Sequence, residues 1–194
     1  NRAPHDPMER LARTPRDVMT LLDSQPLFAG MTARERGPFA DIAEVVRCPA
    51  QTRVFTTGDE GRFLYIVLQG QLGLRLDEKH AGVNSQHVLP PGRSAGADAL
   101  LSGSAHDFSC VAVSNTAALR FPLDSLRLWI AEGRTGAVKL YAALRVELAN
   151  EIRQSADDLC ALLDQAESRS SPISQVWELG ASRPAGGAPD ANRR

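Results

Sequence analysis

The stretch Gly58–Leu76, GDEGRFLYIVLQGQLGLRL, decides the fold. Phe63–Leu68 is an almost continuous apolar run of strand length, rich in aromatic and β-branched residues. Gln69-Gly70 breaks it. Leu72, Leu74 and Leu76 then alternate strictly, the mark of a half-buried strand. Outward from there, His80–Ser85 reads as a polar hairpin tip and His87–Leu89 as another short strand. Val111 and Val113 alternate, and Ala117–Phe121 gives one more strand. Many short strands at close spacing predict a mainly β domain, a small antiparallel roll or sandwich.

Helical patterns flank this region. Residues 1–15 are rich in Pro, Arg and Asp and read as disordered. Val18, Leu21 and Leu22 suggest a short helix from Arg16, followed by an apolar hook, PLFAGM, Pro26–Met31. Thr32 and Glu35 have capping-box spacing, where each side chain satisfies a backbone N–H at a helix start. Gly37-Pro38 interrupts that helix, or Pro38 opens a second one whose apolar face is Phe39, Ile42, Val45 and Val46. After Pro122, Leu123, Leu126 and Ile130 form a short helix, and a long one is expected over residues 137–167. On it Leu148, Ile152, Ser155, Leu159, Leu162 and Ala166 follow a 4-3-4-3-4 spacing, a coiled-coil seam that predicts a homodimer, the alternative being that this face packs against its own roll. Residues 168–194 read as a disordered Ser/Pro/Gly/Ala/Arg tail. Its apolar island Ile173–Gly180, ISQVWELG, is a docking motif for a protein partner or a segment that folds back.

The 194 residues fit one core domain, residues 16–136, with extensions, and 43% hydrophobic content suffices for a core. A net charge of −1 gives no general electrostatic reason for nucleic-acid or membrane binding. Nothing approaches the ~18 apolar residues of a membrane helix, and no signal-peptide pattern opens the chain. Cys48, Cys110 and Cys160 show neither metal nor disulfide spacing and read as buried free thiols of a cytoplasmic protein.

The PLFAGM hook, the GDEGRFLYIVLQG stretch and the segment Pro90–Cys110, PPGRSAGADALLSGSAHDFSC, together resemble the cyclic-nucleotide-binding domain family over about Leu21–Gln165. That family includes protein kinase A regulatory subunits and the sensor half of the catabolite activators. The resemblance implies a double-stranded β-helix, or jelly roll, with a long C-terminal helix and a regulatory rather than enzymatic role. Gly58 and Gly70 supply its turns, and the Pro90–Cys110 segment corresponds to its phosphate-binding cassette. There Gly92 matches the opening glycine, Gly96 the middle of a Phe-Gly-Glu triplet, and Leu100-Leu101 the leucine pair. The phenylalanine falls on Ala95 and the ribose-binding glutamate on Ala97. The phosphate-pairing arginine falls on His106, or on Asp107 if the register slips by one. The scaffold is thus present without its main polar contacts, leaving Arg93 as the best cation for a cyclic nucleotide or other anionic ligand.

Other chemistry is set aside. His5, His80, His87 and His106 form no HxH pair, so no metal site is expected. Ser102, Ser104 and Ser109 lie near His106 and Asp107, but no nucleophile elbow accompanies them. The Pro/Gly/Ser-rich stretch after the long helix is too short and polar for the DNA-binding domain of a complete activator, so direct DNA binding is not expected.

Overall fold

A computed structural model describes residues 8–75 and 86–169. In chain order they form β1 (Glu9–Leu11), α1 (Pro15–Asp23), a 3-10 turn (Pro26–Phe28), α2 (Ala33–Ile42), β2 (Glu44–Cys48), β3 (Arg53–Phe55) and β4 (Phe63–Gln69). There follow β5 (Leu72–Arg75), β6 (Gln86–Leu89), β7 (Ser94–Ala95), α3 (Ala97–Ser102), β8 (Ser109–Ala112), β9 (Thr116–Pro122), α4 (Leu123–Ala131) and α5 (Thr135–Arg169). The strands make two antiparallel sheets, ordered β1-β2-β9-β4-β7 and β3-β8-β5-β6. The chain divides after Glu147 into two units, the first holding both sheets and the second the remainder of α5 onward.

The apolar run of β4 has a physical reason in this architecture. Tyr65 and Val67 enter the core between the sheets with Phe55, Leu72, Leu89 and Cys110. Leu64 and Ile66 alternate to the opposite face and are also fully buried. A strand covered on both faces reads as continuous rather than alternating. On the second face Phe28 and Phe39 meet edge to face at 5.2 Å, and Phe121 of β9 lies 5.9 Å from Phe28. The expected turn glycines take left-handed backbone, Gly58 at φ +85° and Gly70 at φ +81°.

Several expectations need correction. Residues 9–11, expected to be disordered, form β1, and Met8 before it joins the core of the roll. Pro38 neither interrupts α2 nor starts a new helix but lies inside it. Val45 and Val46 belong to β2, where pairing with β1 and β9 outweighs the helical spacing. Cys48 and Cys110 are buried free thiols, but Cys160 is exposed. The long helix runs from Thr135 to Arg169, beyond the expected bounds at both ends. Leu76 and His80–Ser85 lie outside the described residues, as do the island Ile173–Gly180 and the rest of the tail from residue 170. Of the proposed seam, Leu148 is half-buried and Ile152 and Leu162 are exposed, while the side chain of Leu159 lies outside the described set.

Candidate functional site

Residues 90–107 run along the edge of β4 opposite β9. Gly92, at φ +87°, donates its N–H to Val67 O at 2.8 Å, and Val67 N–H donates to Arg93 O at 2.9 Å. This feeds β7, where Ala95 opposes Tyr65 and Ser94 opposes Ile66. Gly96 then turns the chain into α3 at φ +88°, and a Cβ there would stand 2.7 Å from Phe63 O. Only glycine fits both the backbone angle and that approach. The far end is pinned to the GDEG loop: His106 N–H donates to Asp59 O at 3.0 Å, and Gly58 N–H donates to His106 O at 2.8 Å.

The side chains brought together here differ from a simple anion pocket. His106 is 3% exposed and its ring stacks on Phe55, with centroids 3.8 Å apart and planes 10° from parallel. Its Nδ1 lies 3.3 Å from Asp98 Oδ1, and the carboxylate acceptor sets the donor role on that nitrogen. Asp98 Oδ2 accepts from Asp107 N–H at 2.9 Å. Burial pushes the Asp98 carboxyl up, but hydrogen bonds from His106 and from the N–H groups of Asp107 and Ala99 outweigh it and hold it below its ordinary value. Ala95, Ala97 and Leu100 are buried. Asp107 is exposed, and its main chain rather than its carboxylate enters this cluster.

Arg93 is not part of the His106 cluster. Half-buried, it places Nη1 4.0 Å from Glu147 Oε1 on α5. Nor do the serines assemble around His106. Ser102 and Ser104 bond each other at 2.6 Å, and the Ser109 hydroxyl accepts Thr57 N–H at 3.0 Å. Burial, then neighbouring Cys48, pushes the Cys110 thiol up, the reverse of an activated nucleophile.

Three residues escaped the sequence reading. Glu147 accepts Ser94 N–H at 2.9 Å and Ser94 Oγ–H at 3.0 Å, although it is only 8% exposed. Its signal was legible: it continues the buried stripe Ala137, Leu140, Leu144 as an acid at an inward helical position. Arg127 of α4 donates from Nη2 to Ala99 O at 3.1 Å, tying that helix to α3. Arg120 lies in the apolar run of β9, 1% exposed, with its guanidinium 4.5 Å from the Phe63 ring centre and Nε donating to Glu44 Oε2 at 2.6 Å. Glu44 also pairs with Arg10 of β1 at 2.8 Å.

Residues 45–132 match the family model described as the cyclic nucleotide-binding domain, a span that runs from the second residue of β2 through α4 and takes in all of residues 90–110. No curated protein sequence matches the chain. Among solved structures, a cyclic nucleotide-binding domain from Methylobacillus flagellatus KT is similar over 80% of this chain and 89% of its own, with 20% identity and a TM-score of 0.68. The regulatory subunit of a cAMP-independent protein kinase A from Trypanosoma brucei is similar over 73% of this chain and 49% of its own, at 17% identity and a TM-score of 0.58. The Thermus thermophilus catabolite activator protein is similar over 71% and 63%, at 25% identity and a TM-score of 0.55. By family model, then, residues 45–132 match the cyclic nucleotide-binding domain family, and the fold of the chain is that of the solved cyclic nucleotide-binding domains.

Proposed function

We propose that this chain is a non-enzymatic regulatory module whose cassette has lost or altered the family's cyclic-nucleotide contacts. The observation that carries the reading is His106. Where the family resemblance implies an arginine for the cyclic phosphate, this chain has either a buried imidazole already engaged by Phe55 and Asp98 or, one register on, the carboxylate of Asp107. Ala97 stands where that resemblance implies the ribose-binding glutamate, and Arg93 lies beside Glu147. Truncating one partner of a buried charge pair typically costs about 2–5 kcal/mol. At about 1.4 kcal/mol per tenfold, this moves a micromolar site toward the millimolar range. The Trypanosoma neighbour, a subunit of a cAMP-independent kinase, supports the idea that the fold can serve regulation without cAMP.

The test is isothermal calorimetry of the full chain against cAMP, cGMP and cyclic di-GMP at neutral pH. The expected result is no saturable heat at micromolar ligand. Micromolar binding of cAMP or cGMP would overturn the reading.

A second reading concerns assembly, and the exposed apolar residues of the second unit favour it. Ile152, Leu162 and Leu163 are 70%, 62% and 56% exposed on a helix with no membrane-spanning character. In this reading α5 pairs with its counterpart in a homodimer, the pocket stays empty, and the helix and tail carry the output.

A further inference from the structure

Glu147 is an anomaly of helix patterning. Ala137, Leu140 and Leu144 form the buried stripe of α5, and the next inward position carries a carboxylate that is 8% exposed. A carboxylate is tolerated in such a place only when hydrogen-bonded or paired. Both oxygens are used, and both bonds go to a single cassette residue: Oε1 accepts the N–H of Ser94 and Oε2 accepts its hydroxyl. Ser94 lies in β7, the edge of its sheet, so among the described residues one side of that strand lacks a neighbouring strand. Glu147 covers this edge, and Arg93, 4.0 Å away, adds a compensating charge.

We propose that the Glu147–Ser94 pair is a latch that couples the cassette to the first turns of α5. The proposal rests on the reading of the domain as a regulatory module, but its test involves no nucleotide. A displacement of β7 that breaks one of the two bonds strains the other, because both converge on one carboxylate. Once released from Ser94, the carboxylate must be satisfied by other donors, from Arg93 beside it or from water, so this stretch of α5 no longer stays fixed to β7. Two discrete arrangements follow, latched and released, rather than a graded response. Any event that shifts β7 thereby shifts residues 135–147, and the coupling runs equally in reverse.

The experiment is a double-mutant cycle of Ser94→Ala, Glu147→Gln and the pair, in the full chain without ligand, read by amide hydrogen exchange. Each single variant is expected to raise exchange about tenfold or more both at residues 94–96 and within 135–147, equivalent to about 1.4 kcal/mol. The double variant is expected to exceed the worse single variant only slightly, since both remove the same contact. Exchange confined to the mutated element, or fully additive effects, would overturn the latch. If Glu147→Gln does not fold, Ser94→Ala alone decides the matter. It removes one hydroxyl from β7, and unchanged exchange in residues 135–147 would refute the coupling. Failure of the latch leaves the calorimetric result untouched, and the reverse also holds.

Discussion

Gly96 shows how one residue sets the cassette. Its left-handed backbone and the 2.7 Å separation of a would-be Cβ from Phe63 O act together. Gly58 has a similar angle, φ +85°, but nothing within 4 Å of its would-be Cβ. Gly58→Ala is therefore expected to destabilise the protein by the left-handed penalty alone, about 1–2 kcal/mol. Gly96→Ala is expected to lose about 2–4 kcal/mol, because main-chain atoms of β4 must also shift. Urea denaturation of both variants tests this; equal losses would mean the close approach relaxes at no cost. His106 makes the complementary point. Its identity could be aligned with the family's arginine position from the sequence, but its burial against Phe55 could not, since the two residues are far apart in the chain.

At the scale of the element, α2 shows local and tertiary forces combining. Thr32 and Glu35 form the expected capping box, with Glu35 N–H donating to Thr32 Oγ1 at 3.3 Å and Thr32 N–H donating to Glu35 Oε2 at 2.7 Å. The same carboxylate bonds Lys139 of α5 at 3.0 Å. That hydrogen bond first, and then the one from Thr32 N–H, hold the Glu35 carboxyl down at about 2 against an ordinary 4.5. A carboxyl depressed on folding contributes stability that is fully present above its unfolded value and is lost as pH falls through its folded value. The stability difference between wild type and Glu35→Gln is therefore expected to be largest above pH 4.5 and to shrink as pH falls toward 2. Denaturation midpoints at a series of acidic pH values measure it, and a difference independent of pH would show that the pairing does not persist in solution. The capping box was legible because its partners are three residues apart. Lys139 was not, because it lies 104 residues from Glu35.

For the whole molecule, the element that bears on assembly is α5 beyond Glu147. Its described side chains there include exposed Ile152, Leu162 and Leu163. The homodimer proposal predicts a concentration-dependent dimer in sedimentation velocity, with Ile152→Asp and Leu159→Asp shifting the protein to monomer. Wild-type mass retained in both variants would reject the seam. A dimer of unchanged strength in Ile152→Asp alone would place the contact nearer the C-terminal end of the helix.

Much of this protein was determined by sequence pattern alone: the apolar strand β4, the positions of β5, β6, β8 and β9, the turns at Gly58 and Gly70, the capping box of α2 and the long terminal helix. These features depend on periodicity, left-handed turns and contacts within a few residues, all of which act locally along the chain. Tertiary structure decided the rest. Val45 and Val46 carry helical spacing but became a strand because β1 and β9 offer ladders on both sides. Residues 9–11 look like loose chain but are held by β2 and by the pairing of Arg10 with Glu44. The residues of the cassette could be read along the chain, yet the side chains that contact them came from distant segments: Phe55 from β3, Glu147 from α5 and Arg127 from α4. A residue's own neighbours in sequence set its backbone, but which charges and rings surround it depends on how remote elements close around it.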